Sequence, residues 1–216
     1  MERMLVRPIG KELKRQRKLV LAEASKDLPD FELLWRDFEE GMAVALIPPL
    51  IDIYDQAAAR TVGEVIASKQ LLGDLLTHAR RWATVYATGI ALSTTNTTRQ
   101  IVSSVLAIVA STPGMTTADF RDMTARAFSP ERAKTIAITE STRAHFEGTR
   151  DTQAEMNKLG FTTELVWFTV NDDRVCPICE PLEGQAEDTP GAGIWDGGIT
   201  QPAHTGCRCR TGARAI

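Results

Sequence analysis

Apolar positions in the first three quarters of the chain recur at helical spacing. Phe31, Leu34, Trp35 and Phe38 fall at i, i+3, i+4 and i+7, one face of a helix that Asp30 is placed to cap. Upstream, residues 11–28 read as a charged helix ended by Pro29, while Pro48 and Pro49 are expected to stop or kink the second helix. Ile51, Tyr54, Val62, Val65 and Ile66 continue a helical pattern, and Leu72, Leu75, Leu76, Trp82, Tyr86 and Ile90 do so again. The run STTNTT over 93–98 carries turn and capping chemistry, so a break is expected there, with helix resuming near Arg99. Thr112-Pro113-Gly114 is a firm break, after which Thr116 or Thr117 caps a short helix through Phe128. Ser129-Pro130-Glu131 supplies a capping hydroxyl, a proline at the first helical position and an acid in the first turn. The helix it starts is expected to reach about Leu159, with Gly160 as left-handed terminator.

After Gly160 the period changes. Residues 161–170 (FTTELVWFTV) are rich in β-branched and aromatic side chains and read as a strand, followed by a turn at Asn171-Asp172-Asp173. From Cys176 onward the chain is rich in Gly, Pro and Cys. So short a segment cannot bury much apolar surface and needs a staple.

Composition narrows the classes. The chain has 216 residues, of which 43% are hydrophobic and 25% charged, which excludes a disordered or fibrous protein. The net charge of −3 argues against a strongly basic, nucleic-acid-coating protein. The longest apolar stretch, residues 101–110, is too short for a bilayer and contains Ser103 and Ser104. The N-terminal segment has no uninterrupted apolar core, so the expectation is a soluble chain made in a cytoplasm.

All four cysteines, Cys176, Cys179, Cys207 and Cys209, lie in the last fifth of the chain, with His204 among them. A reducing compartment disfavours disulfides, so the cluster points to metal. Cys176-Pro-Ile-Cys179 forms a knuckle that aims two thiolates at one ion, and His204-Thr-Gly-Cys207-Arg-Cys209 offers three more donors. Zinc takes four, tetrahedrally, so Cys176, Cys179, His204 and one of Cys207 or Cys209 are expected to close the shell. A closed shell is structural. A catalytic zinc would keep a position open and need a base, for which Glu180, Glu183, Glu187 and Asp188 are the nearby acids, although an acidic loop is more often simply solvated. His145-Phe146-Glu147 followed by Cys176-x-x-Cys179 resembles the zinc-deaminase signature, but it falls inside a helix, Val175 stands where proline is needed, and His204, Cys207 and Cys209 are left unused. His145 and His78 are read as ordinary packed or surface histidines.

Three further features carry expectations. Glu140 shares the helical face of Ala133 and Ile136. If buried it needs a partner, for which Arg143 and Arg132 are in reach, and such a pair would dock the helix on the metal module. Arg208, Arg210 and Arg214 either touch nucleic-acid phosphates or balance the acidic loop. Asp172 or Asp173 with Arg174 is read as fixing the turn into the first knuckle.

Taken together, Arg132-Ala-Lys-Thr-Ile-Ala-Ile-Thr-Glu140, Ser141-Thr-Arg143, Trp167-Phe-Thr-Val-Asn-Asp-Asp173-Arg-Val-Cys-Pro-Ile-Cys179, Leu182-Glu-Gly184 and Pro202-Ala-His204-Thr-Gly-Cys207-Arg-Cys209 resemble the phage Mu F-like minor head protein family, also called the phage head morphogenesis family. The resemblance covers about residues 125–212. It implies a non-enzymatic minor head protein of a tailed phage or prophage. Such a protein associates with the portal, major capsid or scaffold proteins, is made in the host cytoplasm and is carried in the virion. The alternative is a zinc-dependent enzyme acting on nucleic acid or nucleotide. The expected fold is α+β: a divergent, mostly helical region over 1–115, then a head-morphogenesis domain over 116–216. That domain comprises a helix at 129–159 and a small antiparallel β module at 161–212 stapled by structural zinc.

Overall fold

A computed structural model describes residues 2–26, 29–65 and 69–216. The expectations at Leu28 and Ile66, and those for the side chains of Val65, Leu72 and Leu76, lie outside the described residues. Five α-helices, α1 (Glu2–Ala24), α2 (Glu32–Val65), α3 (Lys69–Ser111), α4 (Thr117–Thr124) and α5 (Pro130–Lys158), precede two strands, β1 (Thr163–Phe168) and β2 (Arg210–Ala215). The protein is mostly helical with one small antiparallel sheet, in line with the α+β reading. Among the described residues no helix is long and apolar enough to cross a membrane.

The helices pack as a bundle. Leu5, Ile9 and Leu13 of α1, Met42, Leu46, Leu50 and Ile53 of α2, Ala83, Ala87 and Ala91 of α3, and Ala133, Ala137 and Ala144 of α5 form one buried cluster. A second cluster at one end joins Val20, Trp35, Phe38, Val102 and Val105 to Phe120 and Phe128 from the α4 region. Burying each large side chain contributes roughly 1.5–3 kcal/mol, which explains three departures from the sequence reading. Helix α1 begins nine residues before Lys11, at Glu2, and passes through Pro8, because Leu5 and Ile9 extend the buried face of Leu13. Helix α2 does not stop at Pro48 and Pro49, because Leu46 before them and Leu50 and Ile53 after them sit in the same core. A proline in a helix interior costs about 3 kcal/mol, which packing on both sides offsets.

Helix α3 likewise does not break at residues 93–98. The buried stripe Ala79, Ala83, Ala87, Ala91 carries on through Thr94, Thr95 and Thr98 to Val102 and Val105. Thr97 and Thr98 donate their hydroxyls to the carbonyls of Ser93 and Thr94 at 3.0 Å, so the polar groups are satisfied inside the helix. The Arg132 guanidinium donates to Thr98 Oγ1 (2.8 Å) and to the Thr94 carbonyl (2.9 Å), pinning the start of α5 to this stretch.

The later boundaries follow the local chemistry. Thr116 and Asp119 form a capping box on α4, which passes into a 3-10 turn at Ala125–Phe128. Ser129 Oγ accepts from the Arg132 N–H at the head of α5, with Pro130 in the first turn. Gly160, with φ of 90°, ends it in the left-handed region. Helix α5 faces the bundle on one side and the sheet on the other, and at Gly148 its backbone lies close against α2. A Cβ there would stand 2.6 Å from the Tyr54 carbonyl oxygen.

Glu140 is 94% buried and accepts a 2.6 Å hydrogen bond from the Tyr86 hydroxyl of α3. Its partner is therefore a tyrosine of the bundle. Arg132 is engaged with α3 instead, and Arg143 contributes only through its nearby charge. Burial raises the Glu140 pKa above its ordinary 4.5, against the Tyr86 hydrogen bond and the Arg143 charge, which lower it.

Two outcomes are expected. Gly148→Ala should destabilise the fold by about 1–3 kcal/mol, read as a lower urea midpoint, because the clash is with backbone. For Glu140 the folded state holds its proton to higher pH than the unfolded chain, so this group's contribution declines as pH rises through and above 4.5. Urea unfolding between pH 4.5 and 7 should show Glu140→Gln gaining stability relative to wild type as pH rises.

Candidate metal centre

The sheet register builds the site. β1 runs antiparallel to β2, with Thr163 opposite Ala215 and Phe168 opposite Arg210. The first knuckle follows the end of β1 and the second immediately precedes β2, so pairing the strands brings both knuckles to one end of the sheet. On the other edge of β1, Trp167 N–H donates to the Gln185 carbonyl (2.9 Å), Gly184 N–H to the Trp167 carbonyl (2.8 Å) and Glu187 N–H to the Leu165 carbonyl (2.9 Å), around an isolated bridge between Val166 and Ala186. Trp167 and Trp195 meet edge to face at 5.2 Å, and Phe146 of α5 closes the small core with Leu165 and Leu182.

Each knuckle is a tight turn. Cys179 N–H and Glu180 N–H both donate to the Cys176 carbonyl (3.0 and 2.9 Å). In the second, Cys207 N–H donates to the His204 carbonyl (3.1 Å) across Gly206, whose φ of 78° suits glycine. Cys176 Sγ lies 3.1 Å and Cys179 Sγ 3.5 Å from His204 Nε2, and Cys179 Sγ lies 3.9 Å from Cys207 Sγ. A tetrahedral zinc with bonds of about 2.3 Å to sulfur and 2.0–2.1 Å to nitrogen sets S···S near 3.8 Å and S···N near 3.6 Å; the Cys179–Cys207 and Cys179–His204 spacings match it, and Cys176 would move back from His204 by about 0.5 Å. Two donor groups, Cys176–Cys179–His204 and Cys179–Cys207–Cys209, each have their atoms within 4.8 Å of one another and share Cys179. All five sequence-predicted donors are thus brought together, and the cluster could hold a metal ion. His204 Nδ1 stands 2.9 Å from the Thr205 carbonyl. Donating there leaves Nε2 with its lone pair toward the sulfurs, the tautomer a ligand needs.

The thiols are not equivalent. A hydrogen bond from Cys209 holds the Cys207 thiol down at about 5, and burial pushes Cys179 up to about 12. Cys209, the donor to Cys207, is raised. A divalent ion at the centre would favour deprotonating its ligands.

The knuckles are fastened to α5 by residues that sequence reading passed over. Thr139 Oγ1 accepts from the Gly206 N–H (2.8 Å), and the Thr142 hydroxyl donates to the Cys207 carbonyl (2.6 Å). Hydroxyls three apart on a helix face beside Glu140 were the available signal. Docking thus falls to the neighbours of Glu140 and not to Glu140 itself. The two knuckles are also tied to each other. Asp172 accepts two 2.7 Å bonds from Arg208, which hold its carboxyl well below the usual range, and takes the Arg174 N–H (3.1 Å) across the turn.

The acidic loop is not merely solvated. Glu187 is buried and accepts from Leu165 N–H, Gln153 Nε2, Gly191 N–H and Gly193 N–H at 2.8–2.9 Å. Asp188 takes the N–H groups of Asp196 and Gly197, and Glu183 the N–H and the hydroxyl of Thr169. Nor do the arginines balance that loop. Arg208 pairs with Asp172, Arg214 with Glu164 across the strands (2.5 Å), and Arg210 lies over the Phe168 ring at 4.6 Å. His145 is buried inside α5 with neither ring nitrogen hydrogen-bonded, and neither it nor Glu147 is in the donor groups. His78 is an exposed histidine of α3, 3.4 Å from Asp151.

A pair of Cys/His knuckles closed by a short antiparallel sheet and carried on one long helix defines a small knuckle module. The family model described as phage Mu protein F like protein matches residues 110–212, from the end of α3 into β2, in agreement with the resemblance read from the sequence. No curated protein and no solved structure matches the chain.

Thr142→Val removes the hydroxyl that α5 donates to the second knuckle while keeping side-chain shape, and leaves the Cys207 carbonyl without that bond. The expected loss is about 1–3 kcal/mol, measured by denaturant unfolding, with the helical circular dichroism of the folded state unchanged.

Proposed function

We propose that the chain acts in phage head morphogenesis as a non-enzymatic minor head protein of a tailed phage or prophage, and that one structural zinc holds its C-terminal module. The family match over residues 110–212 is the observation that carries this reading. The partners on this reading are head proteins, the portal first and the major capsid or scaffold proteins next. The protein is made in the host cytoplasm and ends in the virion. The helical region over 1–115 and the domain over 116–216 divide the work, the first presenting helical surface and the second a rigid end.

Cys176, Cys179, His204 and Cys207 form the proposed shell. Cys207 is favoured as the fourth ligand because its Sγ lies 3.9 Å from that of Cys179, the spacing two ligands of one tetrahedral ion take. Four protein donors leave no open position, which supports a structural role. A structural zinc contributes on the order of 10–16 kcal/mol to folding, ample for a module whose apolar core is a few side chains. The enzyme reading gains little support: His145 and Glu147 belong to neither donor group, and of the four loop acids Glu183, Glu187 and Asp188 are engaged with backbone N–H groups, leaving Glu180 exposed.

Elemental analysis of the purified chain should give one zinc per chain. Cys176→Ser with Cys179→Ser should lose the metal and the cooperative melting of the module together. Cys207→Ser should do the same, while Cys209→Ser keeps the zinc. Survival of the folded module with loss of a measured turnover would replace this reading with the enzymatic one. Co-sedimentation with portal-containing procapsids tests the partner, and its failure would remove the portal from the account.

A further inference from the structure

Helix α1 carries Arg3, Arg7, Lys11, Lys14 and Lys18, all exposed, in a chain whose net charge is −3. At 100° per residue these five fall within an arc of about 80°, and their Cα atoms span about 22 Å along the axis. None of the five has a hydrogen bond or ion pair among the described residues. The three acids of α1 lie off this face: Glu12 is buried against Arg15, Glu23 pairs with Lys26, and Glu2 sits by Arg208 in another cavity. Beside the row, Arg7, Lys11 and Lys14 border a depression of about 410 Å³ that reaches Ser129 and Pro130 at the head of α5.

We propose that this face of α1 binds the phosphate backbone of double-stranded DNA without regard to sequence. The five cations stand one turn apart in a straight row, complementary to a linear polyanion that carries a phosphate every 3.4 Å or so along each strand. No aromatic side chain is interleaved among them, so stacking on single-stranded bases has no platform. The apolar face of the helix, Leu5, Ile9, Leu13 and Val20, is fully buried, so α1 has nothing to insert into lipid. The cations of the C-terminal module, by contrast, are already engaged by Asp172, Glu164 and Phe168. The row lies outside residues 110–212, so the family match says nothing of it, and the proposal holds or fails independently of the assembly role.

The test is fluorescence anisotropy of a labelled mixed-sequence duplex titrated with the full zinc-loaded chain at several salt concentrations. Five phosphate contacts give a slope of log K against log salt of about −4.5, so affinity should fall about 500-fold between about 50 and 200 mM salt, equally for unrelated sequences. The triple variant Arg7→Ala, Lys11→Ala, Lys14→Ala should fold as wild type by circular dichroism and flatten the slope to about −1.8. A control with the same charge change on exposed helical positions, Arg80→Ala, Arg81→Ala, Arg99→Ala, should keep the wild-type slope. An unchanged slope in the α1 variant, or an equal loss in the control, would overturn the proposal. So would displacement of the duplex by polyglutamate or by phosphatidylserine vesicles at equal charge, since the face would then serve an acidic protein or a membrane.

Discussion

The C-terminal third depends on the register of two short strands. Six residues of β1 paired with six of β2 place Phe168 opposite Arg210, the end at which the second knuckle runs into β2 and a seven-residue turn leads from β1 to the first. A slip of one residue would turn Trp167 and Leu165 out of the small core and separate the sulfurs. A two-stranded ribbon is marginal in water, so other contacts must pin the register. Glu187 does so along one edge with its four donors, Asp172 bridges Arg208 at the knuckle end, and Glu164 and Arg214 face each other across the strands. The charged groups of the module therefore act as fasteners of backbone, and the proposed ion would sit where the fasteners converge.

Electrostatics and packing divide the molecule differently. In the bundle, apolar packing dominates and buried polar groups are mostly answered singly: threonine hydroxyls return to carbonyls one turn back, Arg132 reaches α3, and Tyr86 reaches Glu140, while His145 has no partner for either ring nitrogen. In the module, apolar residues are few and hydrogen bonds from acid side chains to N–H groups do most of the ordering. The two regimes meet on α5, whose alanines pack inward to the bundle while Thr139, Thr142 and Phe146 face the knuckles.

Much of this was legible in residue order. The switch from helical to alternating pattern at Gly160, the capping signals at Thr116 and Ser129, and the five clustered donors stand in the sequence because they are local chemistry. What could not be read was set by contacts distant in the chain. Pro8, Pro48, Pro49 and the threonine run look like breaks when only neighbours are considered, yet the buried faces on either side carry each helix through. The partner of Glu140 is 54 residues away, and nothing in its own helix points to Tyr86. The acids at 183, 187 and 188 look solvated in sequence because their partners are backbone N–H groups, which no side-chain pattern reveals.

Because α5 is both a wall of the bundle and the seat of the knuckles, no slack linker intervenes between the two. A load applied at the cysteine end would be carried along the axial hydrogen bonds of 29 residues, about 43 Å of stiff rod, into the alanine-lined core. The molecule would answer such a pull by tilting as one lever, not by stretching at a joint.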